Sequence, residues 1–123
     1  MSVEVKLADL GTALEDFDVA YLLSVGGGRV KVVCVDVRVD GDVLVIPTAS
    51  KGTLRNLEGN DAVTVLCPPR EPRGLSLIVD GTAAPDGDGF VVRPASAILH
   101  RPATHADGPV GSASCDNDCR PVG

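Results

Sequence analysis

The feature that most limits what this chain can fold into is a series of short, valine-rich runs, each closed by glycine, proline or aspartate. Residues 19–25 (VAYLLSV), 30–39 (VKVVCVDVRV), 43–46 (VLVI), 62–67 (AVTVLC), 75–84 (LSLIVDGTAA) and 90–93 (FVVR) are all of strand length. Their β-branched side chains suit a pleated, half-buried surface. Between them stand Gly26-Gly27-Gly28, Asp40-Gly41-Asp42 and Pro85-Asp86-Gly87-Asp88-Gly89, which are hairpin turn sequences. Aromatic residues are confined to Phe17, Tyr21 and Phe90, so the core must be assembled from Val, Leu, Ile and Ala.

One or two short helices are expected beside these strands. Residues 5–16 carry Leu7, Leu10 and Leu14 at a loose helical spacing broken by Gly11 and Thr12, with Thr12 placed to cap a short helix. Residues 50–59 (SKGTLRNLEG) read better: Ser50 as N-cap, Leu54 and Leu57 on one side, Gly59 closing the helix. Within 30–39 the apolar sites change phase, from Val30, Val32 and Cys34 to Val35, Val37 and Val39. That pattern predicts a bulge near Val33 or a stretch buried on both faces.

The first three strands are expected to form a meander. Pro94 should interrupt the sixth, leaving 95–99 as strand or turn. Parallel crossovers would need more helices, so a mainly β fold, a small six-stranded barrel with one or two short helices, is predicted. The chain of 123 residues suits one domain, at 1–100. Beyond it, 101–123 is a Pro-, Gly- and Asp-rich appendage with little apolar content.

A net charge of −6 argues against nucleic acid and anionic membranes as partners, because phosphate backbones are held by surplus Lys and Arg. No apolar run approaches the roughly 20 residues that cross a bilayer, and the first residues lack a signal pattern. A cytoplasmic protein is expected. Cys34 and Cys67 fall within predicted strands far apart in sequence, which suits core residues in a reducing compartment.

One segment carries the outline of an anion site. Thr48, Ser50, Lys51, Thr53 and Arg55 place hydroxyls and cations around a helix N-terminus, where free amides and the helix dipole favour negative charge. Lys51 and Arg55, at i and i+4, share a helix face. Taken alone, the segment reads first as a capped helix with solvated charges and Glu58 as their neighbour.

In order along the chain, AYLLSV, a hairpin into a Val-rich strand, VLVIPTASKGTLRNL, AVTVLC and SLIVDGTA resemble the pyridoxamine 5'-phosphate oxidase-like, FMN-binding split β-barrels. The resemblance covers roughly residues 17–100. It implies a split barrel of Greek-key or meander type that takes the FMN phosphate on Thr48, Ser50, Lys51 and Arg55. It also implies that Val35, Asp36 and Val37 lie near the isoalloxazine ring, and that a homodimer completes the groove. The function implied is that of a flavoprotein oxidoreductase acting on an unknown small molecule. Proteins of similar fold bind the deazaflavin F420, whose acidic tail the Arg70 to Arg73 loop would meet. The endings that oxidases of this group use for a pyridoxal-type substrate are absent, which argues against that substrate.

The appendage holds a second constellation: His100, His105, Cys115 and Cys119, with Asp116 and Asp118 between the cysteines. Two imidazoles and two thiolates are a tetrahedral zinc set. A Cys115–Cys119 disulfide or redox pair is an alternative. Free, inert thiols are the leading reading, since flanking carboxylates hold a thiol protonated. A non-catalytic split barrel with a metal- or redox-active tail is therefore the alternative to a flavoprotein.

Overall fold

The chain runs through the strands β1 (Ser2–Glu4), β2 (Ala20–Gly26), β3 (Arg29–Val35), β4 (Arg38–Asp40), β5 (Val43–Ile46), β6 (Ala62–Cys67), β7 (Ser76–Asp86) and β8 (Gly89–His100). A 3-10 turn, Leu7–Asp9, leads into helix α1 (Leu10–Leu14), and helix α2 (Lys51–Gly59) follows β5. These elements come from a computed structural model that describes residues 2–101.

All strands belong to one antiparallel sheet in the order β3-β2-β6-β7-β8-β5-β4, with β1 on the far half of β8. The two edge strands, β3 and β4, are consecutive in the chain and are linked only by Asp36 and Val37. The sheet must therefore curl until its edges meet without pairing, which is a split barrel. Six strands build it, and the three-residue β1 and β4 extend it.

Hairpin tips fall where the turn sequences stand. Gly27 and Gly28 close β2 to β3 at φ 59° and 75°, a left-handed conformation that costs other L-residues roughly 1–2 kcal/mol. The core follows from alternation. Leu22, Val65, Val79 and Val92 point inward from β2, β6, β7 and β8 and are fully buried, with Phe90 as the largest filler. Leu54 and Leu57 bring α2 against this core.

Several expectations are corrected. β3 pairs with β2 in unbroken register from Arg29 to Val35, so there is no bulge at Val33. The change comes at Asp36 and Val37, where the chain leaves one sheet edge for the other. The meander is likewise split: β4 pairs with β5, and β5 then pairs with β8. Pro94 does not stop β8, because a register shift at Asp80/Gly81 sets it opposite Gly81, and a bulge is where a sheet tolerates a residue without an N–H.

Thr12 lies inside α1, and the N-cap position is taken by Asp9 with no side-chain bond. Cys67 is buried but Cys34 is exposed, because the β3 side chains at Val30, Val32 and Cys34 point out of the barrel. Among the described residues no helix is long and apolar enough to cross a membrane.

Candidate functional site

The start of α2 is built by its own sequence. Ser50 is extended, with ψ 145°, and its Oγ accepts from the Thr53 amide at 3.1 Å while donating to Thr53 Oγ1 at 2.7 Å. This is a hydroxyl N-cap. Thr53 is buried, so the cap faces inward and the Ser50 hydroxyl is engaged with Thr53. The Lys51 and Gly52 amides, at the helix positions that lack intrahelical acceptors, have no partner among the described residues.

The helix is held against β2 by a second contact. Asn56 Nδ2 donates to the buried Ser24 Oγ at 3.1 Å, and the Asn56 amide lies over Gly26, where a β-carbon would collide with it. This anchoring fixes α2 above the β2–β3 hairpin, and it brings in a residue that sequence reasoning missed. Lys31 points to the same side of the hairpin as Ser24, its partner across the strands. Its stem lies over Gly52: a β-carbon there would sit 2.6 Å from Lys31 Cε and 2.9 Å from Nζ.

Lys31, exposed Lys51 and exposed Arg55 therefore gather along the first turn and a half of α2. None of them pairs with an acid among the described residues. The ion pair found among the described residues is Arg70 to Asp18 at 2.9 Å, and Glu58 makes none with these cations. The first turn of α2 carries no acidic residue either. Cations at the positive end of a helix dipole cost roughly 0.3–1 kcal/mol each, and an anion bound there would reverse the sign of that contribution. Arg55 also lines a groove with Gly26, Gly27, Asn56, Gly59 and Asn60, between the hairpin tip and the C-terminal end of α2.

The remaining predicted residues fall as follows. Thr48 is exposed just ahead of the cap. Val35 and Val37 are half-buried against the core, and Asp36 between them is exposed. All three line a small recess with Phe17 and Cys67, about 13 Å along β3 from Lys31 at the usual strand rise. Burial pushes the Cys67 thiol up to about 11, so it is inert at neutral pH. Arg70 also donates to the Glu15 carbonyl at 2.9 Å, which holds it on the α1–β2 loop.

Of the four candidate metal ligands, His100 meets Ser2 Oγ through Nδ1 at 2.8 Å. His105, Cys115 and Cys119 lie outside the described residues. Among the described residues no three His, Cys, Asp or Glu side chains are grouped to hold a metal.

The sequence matches no protein-family model. It is 38% identical over 135 aligned positions to the uncharacterized proteins Mb0449c of Mycobacterium bovis and MT0457 of Mycobacterium tuberculosis, covering 94% of this chain and 93% of each relative. A FAD-binding protein from Mesorhizobium loti superposes with a TM-score of 0.62 at 15% identity, over 83% of this chain and 98% of its own. A protein from Corynebacterium glutamicum named for pyridoxamine 5'-phosphate oxidase gives 0.61 at 14%, over 80% and 92%. An F420 reductase gives 0.57 at 23%, over 70% and 93%.

Proposed function

Since this chain belongs to one family with the mycobacterial proteins Mb0449c and MT0457 and has the fold of flavin-binding and pyridoxamine 5'-phosphate oxidase-like split barrels, we propose that it binds a flavin-type cofactor by its phosphate. The phosphate is assigned to the Lys51 and Gly52 amides, the ammonium groups of Lys31 and Lys51, and Arg55, with the Thr48 hydroxyl at the approach and Ser50 holding the cap. One observation carries the reading: in a chain of net charge −6, Lys31 lies over the first turn of α2, which begins with Lys51 and carries no acidic residue, with Arg55 one turn on and none of the three ion-paired among the described residues.

The ring is assigned along β3 toward Val35, Asp36 and Val37. A flavin brings its own redox chemistry, and the protein contributes position and electrostatics. The activity proposed is oxidation or reduction of a small molecule, with FMN as cofactor and F420 as the alternative. The test is the visible spectrum of the full-length protein after incubation with FMN, FAD or F420 and desalting. Retained absorbance that disappears in the Lys31→Ala/Lys51→Ala variant is expected. A wild-type protein that retains none of the three, or a variant that retains as much as wild type, overturns the assignment.

A second copy of the chain is assigned to the outer face of the β2–β3 hairpin. Val30 and Val32 are 61% and 55% exposed, with Val25 beside them, a contiguous apolar surface of the kind that marks an interface. Sedimentation velocity is expected to give a dimer that Val32→Asp converts to a folded monomer. A monomeric wild type would remove this assignment.

A further inference from the structure

We propose that residues 15–19, between α1 and β2, form a lid over the recess beside Val35, Asp36 and Val37, and that Arg70 is the latch that holds it shut. That a flavin ring edge enters this recess rests on the assignment made above; the latch rests on its own geometry.

The lid lies where strand pairing stops. β2 is paired with β6 from Ser24 and Val63 to Tyr21 and Leu66. Beyond that point the two chains part, one into the α1–β2 link and the other into the loop that leads to β7. Arg70 spans the opening between them. Its Nε meets Asp18 Oδ2 at 2.9 Å, and its Nη2 donates to the Glu15 carbonyl at 2.9 Å, so one guanidinium grips the segment at two points. The Glu15, Asp16 and Phe17 amides donate back to the Thr12, Ala13 and Leu14 carbonyls. Those bonds tie the segment to α1, and none of them ties it to the sheet.

The segment also has room to move, because Phe17 stands between two cavities. On one side is the recess, about 160 Å³, which it lines with Asp18, Val19 and Val37. On the other is a groove of about 410 Å³, which it lines with Ala13, Pro69, Leu75 and Leu99. A side chain packed on every face is held by close packing, whereas one with open space on two sides can swing. As it stands the recess is smaller than the roughly 300–1,000 Å³ of a small-molecule site, and withdrawal of Phe17 into the neighbouring groove enlarges it without breaking the sheet. The latch is suited to opening: its two side chains are 48% and 66% exposed, so the pair is screened by salt and contributes little to overall stability.

The experiment is 19F NMR of the full-length protein labelled with 4-fluorophenylalanine, which reports on Phe17 in the lid and on Phe90, fully buried in the core. In Arg70→Ala the open state is expected to be about tenfold more populated than in wild type. Relaxation dispersion and a moved Phe17 signal read this out, while an unmoved Phe90 signal reports an intact barrel. Arg70→Lys, which keeps the charge but not the two-point grip, should fall between, and Asp18→Asn should open the lid in the same sense. In 1 M NaCl the wild-type Phe17 signal should move toward that of Arg70→Ala, whose own position does not change. FMN should move the wild-type Phe17 signal as well; a latch response with no FMN response supports the latch and removes the ring assignment instead. A Phe17 signal in Arg70→Ala identical to wild type, or a change at Phe90 as large as at Phe17, would overturn the proposal.

Discussion

Replacing Lys51 with glutamine is expected to move two measurable quantities in opposite directions. Lys51 is the first residue of α2, next to Gly52, over which the Lys31 stem lies, and with no acid in the first turn. Removing a cation from this end of the dipole should recover roughly 0.5 kcal/mol. For a domain of this size that corresponds to a Tm higher by about 2–4 °C. The ligand-bound protein should respond in the other sense. A hydrogen bond to a charged group contributes about 1.5–3 kcal/mol, so losing the ammonium weakens phosphate-bearing ligands by about 10- to 100-fold. At a concentration of 100 Kd the wild type gains about 2.7 kcal/mol from ligand, whereas a variant weakened thirtyfold gains about 0.9 kcal/mol. Thermal melts of both proteins with and without FMN should therefore cross: the variant melts higher alone and lower with ligand. If Lys51→Gln is no more stable than wild type without ligand, and equally stabilised with it, the electrostatic argument for the site fails.

Three further outcomes follow from the same structure. Gly52→Ala should raise apo stability by up to about 1 kcal/mol through helix propensity, yet lower ligand affinity, because its β-carbon displaces the flexible end of Lys31; paired melts and titrations check both halves. Gly89→Ala should cost about 3 kcal/mol in denaturant unfolding, since a β-carbon there meets the Ile46 carbonyl, which is backbone and cannot yield. The thiols should separate: in a Cys115→Ser/Cys119→Ser background, exposed Cys34 reacts with a thiol reagent at pH 8 and Cys67 only on unfolding. Because the folded Cys67 pKa lies near 11 against 9 for a free thiol, the unfolded chain loses its proton first. Stability is then complete below pH 9 and falls by about 2–3 kcal/mol as pH rises to 11, a slope that Cys67→Ala should flatten.

The candidate site was legible in part. Ser50 and Lys51 stand in a local pattern, a hydroxyl cap followed by a basic first turn, and near neighbours alone enforce it. Lys31 was not legible, because one lysine in an alternating strand looks like any solvated charge until a helix from twenty residues further on is laid over it. The reverse holds for Arg70, whose basic loop suggested a ligand contact but whose guanidinium is taken up by Asp18 and the Glu15 carbonyl.

The same division runs through the fold. The sequence by itself determined the features governed by a few adjacent residues. These are the hairpin tip at Gly27 and Gly28 that only glycine enters without strain, the Ser50 cap, the strand at Ala62–Cys67 and the presence of an antiparallel, mainly β domain. Tertiary structure decided which strand lies beside which. An alternating pattern states which residues share a face, but not which face is covered, nor at which edge a strand will pair. Hence Cys34 turned outward, Pro94 found its place opposite a bulge, and the run 30–39 divided between the two edges of one sheet. Closing a barrel requires that its two edges meet, and that condition belongs to the whole sheet and to no single segment of the chain.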